Sequence, residues 1–75
     1  MNATMKDFLE NAAEVLEVPE ARPGDDFRAY PMWNSMAAFS LMVMVEQRYG
    51  RILSAADVAR CATVGDLAAA AGVAQ

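Results

Sequence analysis

Histidine is absent and cysteine occurs once, at Cys61. These counts exclude a Cys/His zinc site, a disulfide framework and any nucleophile that works through a histidine base. Basic residues are scarce: six Lys and Arg stand against ten Asp and Glu, for a formal net charge of −4. Phosphate contacts need a surplus of cations, so nucleic acid is not expected as a partner, and a small helix-turn-helix DNA binder is disfavoured on the same ground. Long hydrophobic runs are missing. The longest uncharged stretch, Ala29 to Val45, contains Pro31, Asn34, Ser35 and Ser40 and falls short of a spanning helix. The opening MNATMKDFLE lacks the basic region and apolar run of a signal peptide. A soluble cytoplasmic protein without membrane association is expected, and the unpaired Cys61 fits a reducing compartment. Strand signals and internal repeats are also lacking.

What is present is a folding chain. Hydrophobic residues make up 56% of the 75 positions and charged residues 21%, which suits one small domain over residues 1–75 and not a disordered segment. A chain of this size buries only about 60% of its unfolded surface, so its core must be compact. The charge is unevenly placed. Residues 1–34 hold Asp7, Glu10, Glu14, Glu17, Glu20, Asp25 and Asp26 against Lys6, Arg22 and Arg28, and carry the whole −4. Residues 35–75 hold Glu46, Asp57 and Asp66 against Arg48, Arg51 and Arg60, and are neutral.

Apolar spacing predicts a first helix from about Thr4 to Val18. Met5, Phe8, Leu9, Ala12, Val15 and Leu16 form its stripe, Thr4 and Asp7 resemble a capping box, and Pro19 stops it. Asp7, Glu10, Glu14 and Glu17 share another face, read as solvated. Residues 19–34 read as a long loop, because PEARPGDD is turn chemistry and Pro31 breaks any helix through AYPMW. Phe27, Tyr30 and Trp33 are its expected packing anchors. A second helix begins at Asn34–Ser35, with Asn34 as N-cap, and runs to about Tyr49, where Gly50 stops it. At 100° per residue, Ala38, Leu41, Met42, Val45 and Tyr49 make its core face. Met36, Phe39 and Val43 make a second apolar face, flanked by Ser40, Glu46 and Gln47. A helix apolar on two sides is either fully buried or presents one side to a partner. A short third helix follows Ser54 with Asp57 at the capping-box position. A fourth opens at Thr63-Val64-Gly65-Asp66 and continues through the Ala run to Gly72. The fold class is all-α: a four-helix bundle with a long first connection and a short third helix.

In this order and spacing the residues resemble an acyl carrier protein. Asn34-Ser35-Met36 stands where that family has Asp-Ser-Leu at the start of the second helix. VEQRYG at 45–50 is similar to the family's Glu-rich helix end before Phe/Tyr-Gly. Thr63-Val64-Gly65-Asp66-Leu67 matches the opening of its last helix, and Asp26-Phe27 its Phe anchor before the serine. The resemblance covers essentially the whole chain. It implies that Ser35 is the attachment site of a covalent 4′-phosphopantetheine arm. A serine in a helix's first turn also suits an anionic phosphodiester, since unpaired N–H groups and the macrodipole favour negative charge there.

The resemblance further implies a non-catalytic, monomeric carrier whose second helix meets partner enzymes through Asn34, Met36, Phe39, Ser40, Val43 and Glu46. Those partners are a phosphopantetheinyl transferase and an acyl-activating ligase, ketosynthase or acyltransferase. Three departures matter. Asn34 replaces an Asp that a basic transferase would contact, although both cap a helix equally well. Pro31-Met32 replaces Leu-Gly, with Trp33 beside the serine as either loop packing or a wall for the arm or a partner. Along the second helix, Ala37 and Ser40 stand where typical fatty-acid carriers have acids, leaving Glu46 alone. This suggests a specialised acyl carrier of a fatty-acid- or polyketide-like pathway. A peptidyl or aminoacyl carrier, or an unmodified helical interaction module, are the alternatives. Cys61 stands at a core aliphatic position and reads as a small buried hydrophobe.

Overall fold

A computed structural model describes residues 4–73. The first three residues of the N-terminal stretch read for targeting lie outside that range, as do residues 74–75. Four α-helices follow in order: α1 Met5–Val15, α2 Ser35–Tyr49, α3 Ala55–Ala59 and α4 Val64–Ala70. A 3-10 turn, Phe27–Ala29, sits inside the long first connection.

Side chains cap the starts of all four helices, reciprocally at α3 and α4 and singly at α1 and α2. Ser54 with Asp57 and Thr63 with Asp66 form complete capping boxes for α3 and α4. At α1 only half of the expected box forms. Thr4 Oγ1 accepts the N–H of Asp7 at 3.1 Å. The Asp7 carboxylate instead accepts the Tyr49 hydroxyl at 2.6 Å and the Asn11 amide at 3.4 Å. Tyr49 closes α2, so this contact joins the start of α1 to the end of α2 and sets the two helices antiparallel. The Phe8 and Tyr49 rings meet beside it, with centroids 5.7 Å apart.

The first helix is shorter than the apolar stripe predicts. It ends at Val15, and Glu17 takes a left-handed φ of 57°. The Val18 N–H reaches back to the Ala13 carbonyl at 3.0 Å and the Glu17 N–H to that of Glu14 at 3.3 Å. These two bonds make a Schellman ending, in which Glu17 holds the position that glycine usually takes. Pro19 disfavours helical backbone at Val18 and so acts one residue earlier than a simple stop. At α4 the same motif carries the usual residue: Gly72 has φ 82°, with the Val73 N–H on the Ala68 carbonyl.

Phe8, Leu16, Phe27, Leu41, Val45, Val64 and Leu67 fill the core and are completely or almost completely inaccessible. The small residues Ala12, Ala68 and Ala71 are buried with them. The long connection belongs to this core rather than standing off from it. Phe27 is its apolar anchor, and its carbonyls accept from the first turn of α4: Val64 N–H to Asp25 at 3.0 Å and Gly65 N–H to Pro23 at 2.8 Å. A Cβ on Gly65 would meet that Pro23 oxygen at 3.0 Å, so glycine permits the approach. Arg28 lies over the Phe27 ring and donates to the carbonyls of Cys61 at 2.6 Å and Val58 at 2.9 Å. The connection is therefore tied to the end of α3 and to the start of α4. Cys61 is buried and its Sγ–H donates to the Asp57 carbonyl. Burial, followed by the nearby Asp66 charge, pushes its thiol pKa up, the opposite of a reactive thiolate.

Candidate functional site

Three local features place Ser35 at the first position of α2. Asp26 accepts the Arg28 N–H and begins the 3-10 turn. Tyr30-Pro31-Met32-Trp33 then forms a β-turn, closed by the Trp33 N–H on the Tyr30 carbonyl at 3.0 Å, with Pro31 at the position that favours proline. Trp33 packs edge-on against Phe27, with centroids 4.8 Å apart and planes at 67°. The half-buried Trp33 thus serves loop packing. The Tyr30 hydroxyl donates to Asp25 at 2.7 Å. Burial, followed by that bond, raises the Tyr30 pKa to about 12, and the same bond lowers that of Asp25.

From Trp33 the chain enters the helix through Asn34, which is fully extended. The Asn34 side-chain oxygen accepts the Ala37 N–H at 2.9 Å and its carbonyl accepts that of Ala38 at 3.0 Å. The N–H groups of Ser35 and Met36 have no protein acceptor among the described residues. Ser35 is exposed beside them, and no acidic side chain lies in the first turn of α2. The site therefore offers an accessible hydroxyl, two open N–H donors and the positive end of a 15-residue helix. A phosphodiester anion fits that arrangement electrostatically.

The two apolar faces of α2 separate as its periodicity predicts. Leu41 and Val45 are buried, while Met36 is 70% and Phe39 59% exposed. Val43 is half-buried between them. Met44, assigned to neither face from the sequence, is also buried, because α1 packs against that flank. Ser40 and Glu46 are exposed.

Two cavities lie along the flank of α2 that faces α1. The upper one, about 190 Å³, is lined by Asn34, Met36, Ala37 and Ser40 from α2 and its cap, with Val15, Glu17 and Met32 opposite. The lower one, about 350 Å³, takes Phe39, Ser40, Val43 and Met44 on its apolar side. Asn11, Glu14, Gln47 and Arg48 bring polar and charged groups to it. Asn34, Met36, Phe39, Ser40 and Val43 are thus gathered along one seam, whereas Glu46 lines neither cavity. The contributions of Val15, Glu17 and Arg48 had no signal in the sequence. They follow from how closely α1 and α2 approach. Gln47 was legible, since it lies four residues beyond Val43 on the same face.

Among the described residues no helix is long and apolar enough to cross a membrane. No curated protein and no solved structure matches the chain. The family model for the phosphopantetheine attachment site matches residues 6–71, nearly the whole chain. The protein belongs to the phosphopantetheine attachment-site family, the carrier proteins whose 4′-phosphopantetheine is covalently attached.

Proposed function

We propose that Ser35 bears the arm, and that the protein is a single-domain, monomeric acyl carrier acting in the cytoplasm for a specialised fatty-acid- or polyketide-like pathway. One observation carries the reading: within the stretch matched by the family, Ser35 is an exposed hydroxyl at the start of the longest helix. The bound arm supplies a flexible thiol on which an acyl group is held as a thioester. Ser35 Oγ anchors the phosphodiester, and the open N–H groups beside it favour the charge. The helical frame keeps the attachment point fixed while tethering raises the local concentration of cargo at each partner enzyme. The chain supplies no catalysis in this scheme.

The exposed Met36 and Phe39, with Asn34, Val43, Ser40 and Glu46 around them, are the contact surface proposed for a phosphopantetheinyl transferase. The same surface serves an acyl-activating ligase, ketosynthase or acyltransferase. Met is well suited to surfaces that adapt to several partners. The neutral second half of the chain gives little long-range steering, so docking is mainly apolar and weakly dependent on salt. The test is intact mass after incubation with coenzyme A and a broad-specificity phosphopantetheinyl transferase. One arm is expected, located on Ser35 by peptide mass spectrometry. Ser35→Ala abolishes it while the helical circular dichroism stays unchanged. An arm on Ser40 or Ser54, or no arm with any transferase, refutes the assignment.

A further inference from the structure

We propose that Met36 and Met32 form a reversible oxidation site beside Ser35, at which hydrogen peroxide converts their thioethers to sulfoxides and slows loading of the arm; this rests on the carrier reading above. The observation is a graded exposure of the methionines. Of the six in the chain, all but Met1 lie among the described residues. Met36 is 70% and Met32 45% exposed, whereas Met5 and Met42 are half-buried and Met44 is buried. The two accessible ones are also the two nearest Ser35 in the chain, Met36 directly after it and Met32 in the turn before it. Both line the upper cavity together with Asn34. At about 190 Å³ that cavity admits a molecule the size of peroxide, since a water takes up only about 30 Å³ of liquid.

A sulfur reacts only where the oxidant reaches it, so Met36 is struck first and Met32 second. A lone pair on the thioether sulfur attacks one peroxide oxygen and the O–O bond breaks. The departing hydroxide takes the proton of the transferred oxygen and leaves as water, so sulfur is oxidised by two electrons and peroxide is reduced. The product is a polar, chiral sulfoxide with an acceptor oxygen. Folding loses little by it, because Met36 keeps most of its side chain in water and the core residues Leu41, Met44 and Val45 of the same helix are untouched. Docking loses more. Met36 and Phe39 are the exposed large apolar residues of α2. An acceptor placed among them must shed its water when a partner closes over it, and a surface shaped for a thioether offers it no donor. Methionine sulfoxide reductases reverse the step: the oxygen leaves as water while two reductant thiols become a disulfide. The site therefore couples oxidant level to the readiness of the carrier, and the buried Cys61 takes no part.

The experiment treats the unloaded full-length protein with graded hydrogen peroxide and removes the excess with catalase. The rate of arm transfer from coenzyme A by a broad-specificity phosphopantetheinyl transferase is then measured. Peptide mass spectrometry should find sulfoxide on Met36 and Met32 before Met44. Loading should slow about tenfold, the effect of one apolar anchor lost from the contact, while the helical circular dichroism stays unchanged. Methionine sulfoxide reductases for both epimers, with dithiothreitol, should restore the rate. Met36→Gln, which carries an acceptor oxygen permanently, should load slowly without peroxide and gain nothing from the reductases. Met44→Leu should stay as sensitive to peroxide as the parent. Sulfoxide forming on Met44 as fast as on Met36, a loading rate unchanged by oxidation or by Met36→Gln, or a loss accompanied by unfolding overturns the switch and leaves the carrier reading intact. Unoxidised protein that gains no arm overturns the carrier reading and the switch with it.

Discussion

Replacing Glu17 by glycine should stabilise the protein, although it removes a side chain and a charge. Glu17 holds φ 57° in the Schellman ending of α1. A residue with a Cβ pays about 1–2 kcal/mol in that conformation, against the extra ~0.5–1 kcal/mol of backbone entropy that glycine loses on folding. The carboxylate also sits at a helix C-terminus, where the macrodipole disfavours it by roughly 0.3–1 kcal/mol. The charge effect is separated by a second variant. Glu17→Ala removes the carboxylate and keeps the Cβ, so the two variants differ only in backbone freedom. Glu17→Gly should exceed Glu17→Ala in unfolding free energy by about 1 kcal/mol. For a domain this small that corresponds to about 4–8 °C in melting temperature. Urea titration and thermal denaturation followed by circular dichroism read the difference. If the glycine variant is no more stable than the alanine variant, the left-handed assignment at Glu17 is wrong and the helix continues towards Val18.

Phe39→Ala tests the apolar docking face. Phe39 is 59% exposed, so of the ~200 Å² a Phe side chain can bury, folding takes about 80 Å². At ~25 cal/mol per Å² this is at most about 2 kcal/mol, reduced further by alanine's better helix propensity. Unfolding should therefore show a loss near 1 kcal/mol, against the ~3–5 kcal/mol expected for the buried Phe8→Ala. Titration with a cognate enzyme should weaken by more than about 1 kcal/mol, to a similar degree at low and high salt. A core-sized stability loss would remove Phe39 from the docking face. Asn34→Asp should change stability by well under about 1 kcal/mol, since the two residues cap alike, and should speed priming by a transferase that reads acidic carriers. Equal priming rates would show that this position does not limit recognition. Asp25, Asp57 and Asp66 have lowered pKa values in the folded state. The Tyr30 hydroxyl is the main cause for Asp25, the Ser54 backbone N–H for Asp57 and that of Ala62 for Asp66. Their stabilisation is present above the unfolded carboxyl pKa of about 4 and is lost as pH falls through the lower folded values. Stability measured below about pH 4 should fall, and Asp57→Asn with Asp66→Asn should flatten that limb.

The start of each helix was readable because its cap is a local pattern. Asn34, Ser54 and Thr63 each accept an N–H three residues on, as their spacing implies. The end of α1 was not, since the residue at the left-handed position is Glu17 and no glycine marks it. The exposed pair Met36 and Phe39 followed from the period of α2, for two apolar faces more than a quarter-turn apart cannot both meet one core. The burial of Met44 and the groove beside Ser40 did not, because they depend on where α1 lies across α2. The half-formed box at Thr4 has the same origin. Asp7 had two acceptable partners, and the distant Tyr49 hydroxyl took its carboxylate. A pattern within four residues specifies a cap only while no side chain from another element competes for it.

The ties between the first connection and the C-terminal helices also bear on how the chain acquires its structure as it is made. Pro23 and Asp25 find the amide partners described above only when Val64 and Gly65 exist, and Arg28 finds its carbonyls only when Val58 and Cys61 do. These links span about thirty to forty residues of a small protein, so the N-terminal half emerges from synthesis with its longest loop unanchored. A nascent chain halted before Gly65 should remain open to proteolysis in the 19–34 segment, and one extended through α4 should close it in a single cooperative step. Attachment at the start of α2 then becomes a late event, because the loop that leads to Ser35 is anchored at Pro23, Asp25 and Arg28 to residues translated after it.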